Sequence, residues 1–195
     1  MDRLEKQIDF LLEVDKLKNV LRRSSVTDGS RRENSAEHSW HLCMFALTLA
    51  EYAPENTDIA HVIKMLLVHD LVEVYAGDTY LYDEEGNKTK AAREHAAADK
   101  LYAMLTDAQG ESMKELWYEF ERCDTNESLF ANALDRLQPI LLNYTNDGSI
   151  WRENHIKKQE VIDHAFRLTK LSHPKLRGFA LDIIEKAAKN GWLEE

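Results

Sequence analysis

Leu66-Leu67-Val68-His69-Asp70-Leu71-Val72-Glu73 places an imidazole beside a carboxylate in the most apolar part of the chain. Burying both groups uncompensated costs several kcal/mol, so each needs a partner. The flanking residues from Ile59 to about Tyr75, with Ile63, Met65, Leu66, Leu67, Val68, Leu71 and Val72, are apolar on nearly every face, which predicts a central, buried helix. Thr57 reads as its N-cap, and Gly77-Asp78 closes it. A divalent cation beside the helix would partner both groups, because adjacent side chains diverge by about 100° and can still converge on one ion.

Outward from this segment the pattern stays helical. Leu4, Ile8, Leu11, Leu12, Val14, Leu17, Val20 and Leu21 recur near helical spacing, giving a first helix to about Leu21. A long polar loop through Asn34-Ser35 follows, with Ser35 as N-cap of a helix from Ala36 to about Tyr52 that Pro54 ends. Residues 83–87 read as a loop, and further helices are expected near 88–105, 111–121, 127–144, 154–171 and 174–190, with Gly191 as terminal breaker. No period-2 stretch predicts a strand. Trp40 and Phe45 read as core aromatics, and Glu94-His95 as lying on a polar-to-alanine face.

Composition agrees with an all-α fold. Seven glycines and three prolines in 195 residues argue against a disordered or many-turned all-β chain, which uses these residues at every reversal. The length suits one domain spanning residues 1–195. The opening Met1-Asp2-Arg3-Leu4-Glu5-Lys6 has no secretory pattern, no apolar run reaches membrane-spanning length, and Cys43 and Cys123 have no CxxC partner. A cytoplasmic protein with reduced thiols is expected. Net charge -10 disfavours nucleic acid as a partner. Only the segment with Arg22, Arg23, Arg31 and Arg32 is locally basic, and it could draw a small anion.

Two more ligand-type residues interrupt apolar helices: His38 in Glu37-His38-Ser39 and Asp135 in Ala133-Leu134-Asp135-Arg136-Leu137. The ordered set of first helix, Arg loop, Glu-His-Ser, His-Asp-x-x-Glu, Gly-Asp and distant Asp resembles the HD-domain phosphohydrolase superfamily. More narrowly, it is similar to the 5′-deoxynucleotidase branch across about residues 10–145. The resemblance implies an all-α HD-domain bundle of about seven to nine helices. Its metal and substrate core would lie in that region, and helices over 154–192 would complete the bundle.

By the same resemblance His38, His69, Asp70 and Asp135 hold one divalent cation. Two nitrogens and two carboxylates suit Mn, Co, Ni, Fe, Zn or Mg, and open positions mark a catalytic centre. Glu73, on the same helix face as His69 and Asp70, becomes the group that handles the proton of the attacking water or the leaving oxygen. Arg22 orients the phosphate with a forked guanidinium. Asp78 and Thr79 lie at the substrate, as does Arg23, which stands where related bacterial nucleotidases often carry a Trp. The implied activity is metal-dependent release of phosphate from (deoxy)nucleoside 5′-monophosphates by a homodimer. Its rivals are hydrolysis of a nucleoside triphosphate or cyclic dinucleotide, a non-catalytic nucleotide sensor, and a nucleic-acid module resting only on the four-arginine loop.

Overall fold

The computed structural model describes residues 2–166 and 173–195. Its elements are α1 (Arg3–Val14), a 3-10 turn (Asp15–Asn19), β1 (Leu21–Ser25), β2 (Arg32–Asn34), α2 (Ser35–Thr48), a second 3-10 turn (Ala50–Tyr52), α3 (Ile59–Val68) and α4 (Glu73–Ala76). They continue with α5 (Glu84–Tyr102), α6 (Asp107–Arg122), α7 (Asn126–Thr145), α8 (Ser149–Glu153), α9 (Lys158–Phe166) and α10 (Pro174–Lys189). The helix expected over 154–171 is thus seen as α8 ending, a turn and α9; its last residues lie outside the described ones.

Helix α3 is central, packing against α2, α6 and α7, and Val62, Met65 and Leu66 are wholly buried. It is not apolar contact on every side, because Leu67 is 52% exposed. Three apolar clusters surround the site. One joins α2, α3, α6, α7 and α10; a second gathers α1, α5 and α6 around Trp117; a third seats α8, α9 and α10 on α7 around Trp151.

Several sequence expectations are corrected. The first helix ends at Val14 and not at Leu21, and the segment after the 3-10 turn is an antiparallel hairpin, pairing Leu21 with Asn34 and Ser25 with Arg32. It shows no apolar alternation because its inward residues are Arg22 and Ser24, which face a cleft and not an oily core. Asn34, not Ser35, caps α2: its side chain accepts from the Glu37 N–H at 2.9 Å while Glu37 accepts from the Asn34 N–H at 3.2 Å. Asp58, not Thr57, caps α3, and Asp83 starts α5 inside the expected loop. Trp40 is 63% exposed and not core, although Phe45 does pack on the first cluster.

The helix expected from Ile59 to Tyr75 breaks. His69 is the C-cap of α3, and the next turn tightens to i→i+3 bonds, Leu71 N–H to Val68 O at 3.1 Å and Glu73 N–H to Asp70 O at 3.0 Å. Three residues per turn place residues 70 and 73 one above the other. That tightening aims both carboxylates at one cleft. Gly77, at φ +73°, then turns the chain toward Asp78 in the left-handed region that glycine adopts without strain.

Candidate active site

Four elements deliver the site. The first turn of α2 carries His38, the end of α3 carries His69 and Asp70, the middle of α7 carries Asp135, and β1 carries Arg22. His38 and His69 are buried among apolar neighbours, with ring centroids 5.6 Å apart. Their Nδ1 atoms point outward: His38 Nδ1–H donates to Gln138 Oε1 at 3.2 Å and His69 Nδ1–H to the Leu66 carbonyl at 2.8 Å. Their Nε2 atoms therefore present lone pairs inward. His38 Nε2 lies 3.0 Å from Asp135 Oδ1 and 3.9 Å from Asp70 Oδ2; His69 Nε2 lies 3.1 Å from Asp70 Oδ1 and 3.9 Å from Asp135 Oδ1.

Acceptors facing acceptors at these distances repel unless a cation lies among them. His69 Nε2 is buried without a hydrogen-bond partner, a cost of about 1–3 kcal/mol that a coordinate bond would remove. One ligand atom each from His38, His69 and Asp135 falls within a mutual 4.8 Å, and Asp70 adjoins both imidazoles. The group therefore fits a metal ion.

Charge states follow from burial and neighbours. Burial first, then the nearby Arg22 charge, pushes His38 down to about 4, so it is neutral and able to ligate at pH 7. Burial disfavours the charged form of Asp135, while the nearby Arg136 guanidinium favours it. Arg22 Nη1 donates to Asp70 Oδ2 at 3.1 Å and stands 4.0 Å from Asp78 Oδ1. Burial opposes its charge, yet Asp70, Glu73, Asp135 and Asp78 together hold it above its ordinary value.

Glu73 is buried at the start of α4, and its Oε2 accepts from the Ser35 hydroxyl at 2.6 Å. Burial, with Asp70 beside it, raises its carboxyl well above the ordinary value. Ser35 thus has a place in the site that its reading as a cap did not anticipate. Asp78 lines the same cavity and is likewise raised, first by burial. Thr79 lines it too, but its Oγ1 already accepts from Arg93 Nη2 at 2.7 Å. Arg23 lines the cavity as well, its guanidinium over the Tyr80 ring at 5.7 Å. Arg31 is drawn away altogether, pairing with Glu37 on the exterior at 2.8 Å.

The cavity extends beyond this centre. Its lining includes aromatic and apolar Tyr80, Tyr82, Ile150 and Trp151 and charged Lys90, Glu94, Glu121 and Arg136. Glu94 was read as lying on a plain face, yet it is buried in this wall, 3.6 Å from Lys90, and burial pushes it up to about 7. Its signal was the Lys90-Glu94 spacing of four, which sets both on one side of α5. Glu33 and Gln138, both buried behind His38, were also missed. Gln138 stands three residues after Asp135, on the same face of α7.

A helical bundle with a His, His-Asp, Asp centre between its helices is the HD architecture, and the chain belongs to the HD domain family, whose profile matches residues 14–177. It is similar to the 5′-deoxynucleotidase HDDC2 of Dictyostelium discoideum, 30% identical over 183 residues, covering 90% of this chain and 95% of that protein. The protein of the same name from Danio rerio is 24% identical, covering 96% and 90%. A crystal structure from Magnetospirillum magnetotacticum MS-1, described as a predicted metal-dependent phosphohydrolase, is 41% identical with a TM-score of 0.93, covering 99% of this chain and 96% of that one.

Proposed function

We propose that this protein is a metal-dependent phosphomonoesterase that hydrolyses (deoxy)nucleoside 5′-monophosphates to nucleoside and phosphate. The observation that carries the reading is the ring of inward acceptors from His38, His69, Asp70 and Asp135 with the Arg22 guanidinium at its edge. The similarity to 5′-deoxynucleotidases over most of the chain supports the nucleotide as substrate. In this proposal those four residues hold one divalent cation, drawn from Mn, Co, Ni, Fe, Zn or Mg. When bound, it supplies Lewis acidity toward phosphoryl oxygen and water.

The remaining roles fall to side chains of this chain. Arg22 offers a forked donor to the phosphate and neutralises the charge that grows there in the transition state. Glu73 holds its Oε2 on the Ser35 hydroxyl, which leaves Oε1 to carry the proton exchanged with the attacking water or the leaving 5′-oxygen. Asp78 accepts from a sugar hydroxyl, with Thr79 and Arg23 beside it, and the base lies against Tyr80, Tyr82 and Trp151. Residues 10–145 supply the chemistry, while the C-terminal helices close the far wall through Trp151 and Val161.

The proposal includes a homodimer, supported by the exposed apolar Trp40, Met44 and Leu47 on α2 and Phe179 on α10; light scattering of the purified protein tests it. Lys90 and Arg136 in the cavity lining favour a second reading, a substrate with more than one phosphate. One experiment separates the readings: a screen of nucleoside mono-, di- and triphosphates with each metal, assaying phosphate and pyrophosphate separately. Phosphate from monophosphates is the expected result. Pyrophosphate or tripolyphosphate from triphosphates, with monophosphates inert, would overturn it.

A further inference from the structure

We infer that Glu33 and Gln138 form a positioning relay that sets the His38 tautomer and couples it to Arg22. The relay is buried and continuous. Gln138 has no exposed surface and Glu33 almost none. Gln138 Nε2 donates to Glu33 Oε1 at 2.7 Å and to His41 Nδ1 at 3.3 Å, and its Oε1 accepts from His38 Nδ1–H at 3.2 Å.

Every hydrogen-bonding position of the Gln138 amide that faces these neighbours is matched, and in one orientation only. Turning the amide over would set its oxygen against the Glu33 carboxylate and its NH2 against the protonated Nδ1 of His38. The carboxylate therefore dictates the amide, the amide dictates which ring nitrogen carries the proton, and the Nε2 lone pair is left facing Asp135. A partner on the far nitrogen is how a ligating histidine is oriented in general. Glu33 Oε2 lies between the two groups, 3.7 Å from Arg22 Nε and 3.6 Å from His38 Nδ1, and neither Oε2 nor Nε has a hydrogen-bond partner. One buried carboxyl group thus faces the phosphate-facing guanidinium and, through Gln138, orients a metal-facing imidazole.

This inference rests on reading His38 as a ligand, so its test has an arm that needs no metal. In the metal-free wild-type protein, nitrogen-15 histidine spectra will show His38 protonated on Nδ1 and bare on Nε2; the opposite tautomer overturns the relay. The second arm measures Mn(II) affinity by competition with a chromophoric chelator. Gln138→Met should weaken binding about 10- to 100-fold, the range for loss of such a partner. Gln138→Glu sets two carboxylates against each other and should bind as poorly, whereas the exchange Glu33→Gln with Gln138→Glu restores a donor facing an acceptor. The exchanged protein should recover most of the affinity lost in Gln138→Glu. Equal affinity in Gln138→Met and wild type, or no recovery in the exchanged protein over Gln138→Glu alone, refutes the inference. If wild type binds no metal while His38 shows the expected tautomer, the metal-site reading fails and the relay's proton assignment stands.

Discussion

Arg22 sits where a single side chain answers several carboxylates at once, and this makes it sensitive to shape as well as charge. Arg22→Lys keeps the charge and loses the fork, so kcat/KM for a nucleoside monophosphate should fall about 100-fold with metal content unchanged by elemental analysis. Asp70→Ala should behave differently, losing bound metal and at least about 1,000-fold of activity together, because the proposed ligand and the Arg22 partner vanish in one step. Glu94 allows a prediction with pH. Its carboxyl is raised to about 7 in the folded protein, mainly by burial, from an ordinary 4.5. The folded state therefore binds the proton more tightly than the unfolded one, and this contribution to stability is present below pH 4.5 and lost as pH rises through 7. Glu94→Gln removes it, so the drop in Tm between pH 5 and pH 8 will be smaller in the variant than in wild type by thermal melts at both values. Glu33, raised to about 7 by burial, keeps part of the slope in both proteins. His69 and Asp70 were legible as a buried pair in an apolar run. Glu33, Glu94 and Gln138 were not, because a charged or amide residue at helical spacing is ordinary until its burial is known.

Elements place these residues, and their ends matter more than their middles. The α2 capping box holds the turn that carries His38, four residues from the cap at Asn34. Asn34→Ala removes the bond its side chain accepts from the Glu37 N–H, leaves the backbone bond to the Glu37 carboxylate, and should cost about 1 kcal/mol, a Tm loss of about 2–4 °C for a chain of this size. Pro139 acts within α7: it lacks an N–H, so the carbonyl of Asp135 loses the donor four residues on, and the helix is loosened at the position where Asp135 turns into the cavity. Helix positions were well read wherever apolar spacing was regular, as for α7 and α10. The hairpin and the break after α3 were not, since β1 turns polar residues inward and the tightened turn over 69–72 leaves the apolar pattern unbroken.

At the scale of the whole molecule the site is a seam where helices meet, and binding there should be felt globally. A cation that binds only the folded protein stabilises it by mass action, about 2.7 kcal/mol at a hundredfold excess over Kd, or about 5–10 °C in Tm. Calorimetry with Mn(II) and with a chelator will show that shift in wild type and none in Asp70→Ala. Among the described residues no helix is long and apolar enough to cross a membrane, and Cys43 and Cys123 are both free thiols, as expected from the absence of paired spacing.

The sequence by itself determined the helical class, the central apolar helix, and the ligand-type residues, because period, cap chemistry and the cost of burying His69 with Asp70 are local properties. Only the tertiary structure decided what faces what. It put Arg22 on Asp70, Ser35 on Glu73, and Gln138 between Glu33 and His38, contacts spanning 38 to 105 residues. It also left Arg31 outside and brought Glu94 in. Such pairings depend on which faces pack and what is removed from water, and charge in a sequence carries no record of either until the helices meet.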